Sequence, residues 1–120
     1  MTVDDAKAYW WDVIKRERDT RMQDGGYKVG EYWFHSDLIS RSQQLALFQL
    51  GEDIPPDLQW KTMSGEFVPM TPSLAALVFK AAIASDTQHF KGAEIARAVM
   101  NYDPLAFRLS ADMFPKVFGE

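Results

Sequence analysis

The chain has 120 residues, 13 lysines and arginines against 17 aspartates and glutamates, and no cysteine. That length fits one domain, spanning residues 1 to 120, with enough apolar and aromatic residues (47% and 13%) for a packed core without staples. Disulfides, thiolate zinc sites and iron–sulfur clusters are excluded, and the net charge of −4 argues against a phosphate-gripping surface. The one basic cluster, Lys15, Arg16, Arg18 and Arg21, is interleaved with Glu17 and Asp19, as on a solvated, ion-paired helix face. Nucleic acid is therefore not an expected partner.

The N-terminus MTVDDAKAYWW opens with two aspartates, where a secretory signal would carry a basic region before an apolar run. No stretch approaches the roughly 20 apolar residues of a membrane span. The expectation is a chain that uses no signal peptide and no membrane.

Residues 4 to 22 read as a helix, with Ala6, Trp10, Val13 and Ile14 at helical spacing and DGG at 24 to 26 ending it. YKVGEYWFHS then reads as a hairpin: Tyr27 to Val29, a Gly30-Glu31 turn, and Tyr32 to His35. DLISRSQQLALFQL is a second helix whose Leu38, Ile39, Leu45, Phe48 and Leu50 are expected to supply apolar contacts. After the rigid connector EDIPPDL comes a second hairpin, Trp60 to Met63, a two-residue type I′ turn at Ser64-Gly65, and Glu66 to Val68.

Thr71 is a good N-cap and Pro72 suits the first position of a third helix. Its pattern of Leu74, Val78, Ala81 and Ser85, with Phe79, Ile83 and Phe90 alongside, runs on through Ile95, Val99 and Met100. Asp103-Pro104 ends a helix of about 30 residues and roughly 45 Å, which Gly92 marks for a kink or break. Residues 103 to 120 form an irregular aromatic tail. The class is α+β: helix, hairpin, helix, hairpin, long helix, with the four strands pairing in a small antiparallel sheet packed on the helices.

His35, Ser36 and Asp37 are the residue types of a base, a nucleophile and an orienter. Neighbours on a strand point to opposite faces, whereas a triad needs its groups within about 3 Å. The better mechanism is structural: a strand passes into a helix here, and Ser36 or Asp37 accepts from free N–H groups of the first turn. Asp86 and His89, three apart on one helix face, read as a solvated polar face rather than a metal site. DGGYKVG lacks the spacing of a phosphate loop. No cofactor, metal or catalytic residue is expected.

The aromatics carry more. Tyr9, Trp10 and Trp11 span about 200° of a helix, so one face cannot bury all three. Trp10 reads as core, and Tyr9 and Trp11 as candidates for an interface. Met113, Phe114 and Phe118 extend that candidate partner surface into the tail. Arg18, Ser36, Asp37, Trp60, Gly65, Thr71 and Pro72 read as structural.

WWDVIKRERDTR, FHSDLISRSQQL and QWKTMSGEFVPMT, followed by the leucine-rich helix, resemble an uncharacterised domain family of tailed-phage tail-fibre and tail-fibre-assembly proteins. The matching positions include Trp11, Lys15, Arg18, Asp19 and Arg21, then Phe34 to Asp37, Ser40, Arg41 and Gln44, then Trp60, Lys61, Thr62, Gly65, Val68, Met70 and Thr71. The resemblance runs from about residue 8 to 118, and in similar chains another segment often precedes this domain. It implies a non-enzymatic bacteriophage protein: a structural adaptor in the virion, bound to tail fibre or baseplate. The alternatives are a tail-fibre assembly chaperone in the host cytoplasm and, more remotely, a small hydrolase using His35 and a carboxylate. Tail-fibre or baseplate proteins are the expected partners, with self-association as a further expectation.

Overall fold

A computed structural model describes residues 1–120. Helix α1 (Val3–Asp24) leads into strands β1 (Tyr27–Val29) and β2 (Tyr32–Phe34), then helix α2 (Leu38–Leu50). Strands β3 (Gln59–Lys61) and β4 (Phe67–Pro69) precede helix α3 (Pro72–Tyr102), and short 3-10 turns follow α2 and interrupt the tail. The fold is α+β. The strands do not form one sheet: each hairpin is its own two-stranded antiparallel unit. A single bond, Met63 N–H to Trp33 C=O at 2.8 Å, joins the hairpins. No helix is long and apolar enough to cross a membrane.

Local chemistry sets the helix ends. Thr2 and Asp5 form a reciprocal capping box, Thr2 Oγ1 accepting from the Asp5 N–H at 3.1 Å. Asp37 caps α2 by accepting from the Ser40 N–H at 3.1 Å and the Ser40 hydroxyl at 2.6 Å. Those bonds hold its carboxyl below the usual range. Thr71 caps α3 by accepting from the Leu74 N–H at 3.1 Å, with Pro72 opening the helix. At the far end of α1 the left-handed residue is Gly26.

The second turn departs from expectation. Only Gly65, at φ 92°, has positive φ; Ser64 does not, so the turn is not type I′. A longer loop closes through Gly65 N–H to Thr62 C=O at 3.0 Å and Thr62 N–H to Glu66 C=O at 2.8 Å. The buried Thr62 hydroxyl also donates to Glu66 C=O at 2.8 Å, which ends β3 at Lys61.

The molecule is a rod of 60 × 24 × 19 Å with a radius of gyration of 17.5 Å, against roughly 13–14 Å for a compact chain of this length. Two apolar clusters sit along α3. The first gathers Tyr27, Phe34, Leu47, Ile54, Val68, Met70, Ala75 and Val78. The second gathers Ile14, Ala93, Ala96, Met100, Phe107 and Phe114. Its alanines let α1 approach closely enough to seat Ile14.

Three expectations about the helices fail. Leu38, Ile39, Leu45, Phe48 and Leu50 are all exposed, from 42% to 72%, because α2 turns Gln44 and Leu47 inward. Ile83, Phe90, Ile95 and Val99 likewise point outward, while Ala93 and Ala96 form the inner face of α3. Gly92 neither kinks nor breaks α3, which is continuous; it is buried where the tail crosses, and a Cβ there would lie 2.5 Å from Met113 O.

That crossing reverses an ordinary rule. In a helix interior Gly→Ala stabilises by about 1 kcal/mol, but at Gly92 the added methyl meets tail backbone. Gly92→Ala should lower stability by about 1–3 kcal/mol. A thermal melt with unchanged or higher midpoint would refute the close approach.

Candidate functional site

His35, Ser36 and Asp37 are given separate tasks. Ser36 is buried; its Oγ accepts from the Gly26 N–H at 2.8 Å and donates to Gln23 C=O at 3.2 Å, tying the end of α1 to the start of α2. Asp37 is the cap. The His35 ring lines a cleft against the second hairpin. Arg18, read as structural, pairs with Asp19 at 2.9 Å and lies 4.7 Å from the Phe90 ring centre.

The expected aromatic surface is not one surface. Tyr9 is exposed and meets Trp10 edge-on. Trp11 is half-buried, with Arg97 at 4.3 Å and Lys15 at 5.5 Å from its ring centre. Met113 is half-buried, and Phe118 is exposed but edge-on to Trp33, 6.2 Å between centres. Phe114, expected at the surface, is core: it lies beside His89 and against the Gly92 backbone. The tail folds back onto the molecule rather than presenting its rings together.

What holds it is Arg21, one charge of the mixed basic cluster on α1. Its guanidinium is buried and donates to Glu120 Oε1 at 2.6 Å, Glu120 Oε2 at 2.9 Å and Pro115 C=O at 2.9 Å. Glu17 lies at 3.5 Å. The hydrogen bonds to Glu120 hold Arg21 in its charged form, and Arg21 in turn keeps the Glu120 carboxyl below the usual range.

The pair Asp86 and His89 is not a solvated face either. Asp86 is clamped by both terminal nitrogens of Arg41. His89 is 1% exposed, with Nδ1 2.8 Å from Ser85 C=O and Nε2 buried without a partner. Burial lowers its pKa, and the Arg21 cation adds to that.

One contiguous apolar surface does exist, on the seam between α2 and α3. The Phe48 and Phe79 rings stack at 4.4 Å, and the next rung is Leu45 and Ile83, which line a common hollow of about 200 Å³. Arg41–Asp86 forms the third rung, and Phe90 stands exposed one turn further along α3. Beneath the seam, Tyr27 donates its hydroxyl to Gln44 Oε1, and Gln44 Nε2 donates to His35 C=O at 2.8 Å. Arg41 Nε donates to Ser36 C=O at 2.7 Å. Burial pushes the Tyr27 hydroxyl up to about 12, so it remains a donor. The seam is thus polar inside and apolar outside. Its residues were visible in the sequence, but periodicity alone assigned them inward.

The chain belongs to the family described as a domain of unknown function, DUF4376, which matches residues 5–111. No curated protein and no solved structure matches it.

Asp37→Ala should cost about 1 kcal/mol in a denaturant titration, while His35→Ala, which removes no protein hydrogen bond, should cost under about 0.5. Equal stability of Asp37→Ala and the parent would remove the cap. His89 binds its proton more weakly in the fold than in the unfolded chain, so its contribution is complete above pH ~6.5 and is lost as pH falls below that value. The urea midpoint should drop between pH 7.5 and 5.5, and by less in His89→Gln; equal drops would clear His89.

Proposed function

We propose that this chain is a non-enzymatic interaction protein of a bacteriophage tail, a structural adaptor that docks on a tail-fibre or baseplate protein of the virion. The observation behind this reading is the α2–α3 seam, where Leu45, Phe48 and Ile83 stay exposed on two packed helices. Leaving such a row in water forgoes about 25 cal/mol per Å² of buried apolar area, and contiguous patches of this kind mark interaction sites. Its rungs repeat at helical intervals, which suits an amphipathic helix of the partner laid along the groove. The resemblance in the WWDVIKRERDTR and FHSDLISRSQQL segments supplies the tail context.

The chaperone alternative uses the same seam in the host cytoplasm and differs only in whether the chain stays with the particle. Mass spectrometry of purified virions separates the two: an adaptor persists at fixed copy number, and a chaperone is missing.

The seam itself is tested by co-expression with the tail-fibre and baseplate proteins of the same phage, followed by pull-down. Leu45→Asp with Ile83→Asp should reduce capture at least tenfold, as expected for losing anchors worth about 2 kcal/mol, while circular dichroism stays unchanged. Trp11→Ala should bind as the parent does. Full capture by a folded double variant would refute the seam, and no capture by the parent would refute the tail assignment.

A further inference from the structure

Two of the sequence segments, FHSDLISRSQQL and QWKTMSGEFVPMT, meet in a cleft of about 420 Å³ between the first turns of α2 and the second hairpin. His35, Ser40 and Gln43 line one side; Gln59, Lys61 and Phe67, which share one face of the hairpin, line the other. The volume lies within the roughly 300–1,000 Å³ typical of small-molecule sites.

The fold explains little of this lining. The His35 ring, the Gln43 amide and the Lys61 ammonium bond to no protein group, and the neighbouring Gln59 makes only a 3.5 Å contact with Asp57 C=O. Trp60, between Gln59 and Lys61 on β3, turns instead to the opposite face and packs against the first apolar cluster. Gln44, one residue from Gln43, uses both ends of its amide inside the molecule. Phe67 is Lys61's cross-strand partner, so the two share a face, and the residue is 61% exposed.

These groups select a ligand class. Each amide offers two donors and an acceptor, the pattern that neighbouring hydroxyls satisfy. A flat aromatic ring beside them suits the C–H face of a pyranose. The lining contains no carboxylate, and Lys61 stands ready for an anionic substituent. A bare anion would leave Phe67 and the amide oxygens unused; an apolar ligand would leave the amides and Lys61 unpaired. We propose that the cleft between α2 and the second hairpin binds a saccharide unit carrying a carboxylate.

The test is a titration of the full chain with D-glucuronate, D-glucose and inorganic phosphate, followed by NMR at the Gln43 side-chain amide and the His35 ring. Glucuronate should shift both and bind about tenfold more tightly than glucose, the margin of one charge-assisted hydrogen bond. Lys61→Ala should erase that margin, and Phe67→Ala should weaken both sugars. Both side chains are exposed, so neither variant threatens the fold. Equal binding of the two sugars overturns the proposal, as does phosphate binding indifferent to Phe67→Ala, or no shift with any probe. Neither variant touches the α2–α3 seam, so loss of sugar binding and loss of partner capture are separate results.

Discussion

A buried guanidinium organises the return of the C-terminal tail onto this molecule. Arg21 lies inside the protein, and a charge taken out of water is tolerable only when closely paired. Its partners come from the last few residues: the Glu120 carboxylate and the Pro115 carbonyl. Phe114 lies with its ring centre 5.6 Å from the same cation. Satisfying Arg21 therefore draws the tail across α3, and the tail brings two of the six residues of the second cluster, Phe107 and Phe114. Without that return, His89 and the Gly92 backbone would lose Phe114 as cover, and the second cluster would keep only Ile14, Ala93, Ala96 and Met100. The glycine at 92 is the steric condition for the crossing, and Arg21 is its electrostatic condition.

A few residues from Arg21, past the end of α1, a polar cluster performs a related task. Ser36, Arg41 and Gln44 satisfy backbone groups released where α1, the first hairpin and α2 change direction. Arg41 carries this network to Asp86 on α3. Because directional bonds fix the inward face of α2, its apolar side chains are free to face outward. This arrangement leaves a seam for a partner without loosening the helix that presents it.

Locally encoded features were legible in the sequence. Thr71-Pro72, Asp37 and the glycine after α1 each act on neighbours a few residues away, so their pattern survives any tertiary arrangement. Both hairpins could be read for the same reason, although the Thr62 hydroxyl lengthened the second turn. What the sequence concealed depends on distant pairing. Arg21 looks like one charge in a mixed helix face until Glu120 is placed beside it, 99 residues away. His89 looks solvated until Phe114 covers it. The seam was half legible: Leu45, Phe48 and Ile83 were recognised as an apolar set, but hydrophobic period identifies a stripe and not the direction it faces. Gln44, a polar residue pointing inward, is what reversed it.

The two apolar clusters share α3 and almost nothing else. Val78 is its last residue in the first cluster and Ala93 its first in the second, about four helical turns apart. Contacts at one end can open while those at the other persist, because the intervening turns hold together through their own backbone bonds. Lesions placed in different clusters should accordingly add in free energy, and lesions within one should not. Amide protons on a single uninterrupted helix would then report two different opening energies, one for each end of the rod.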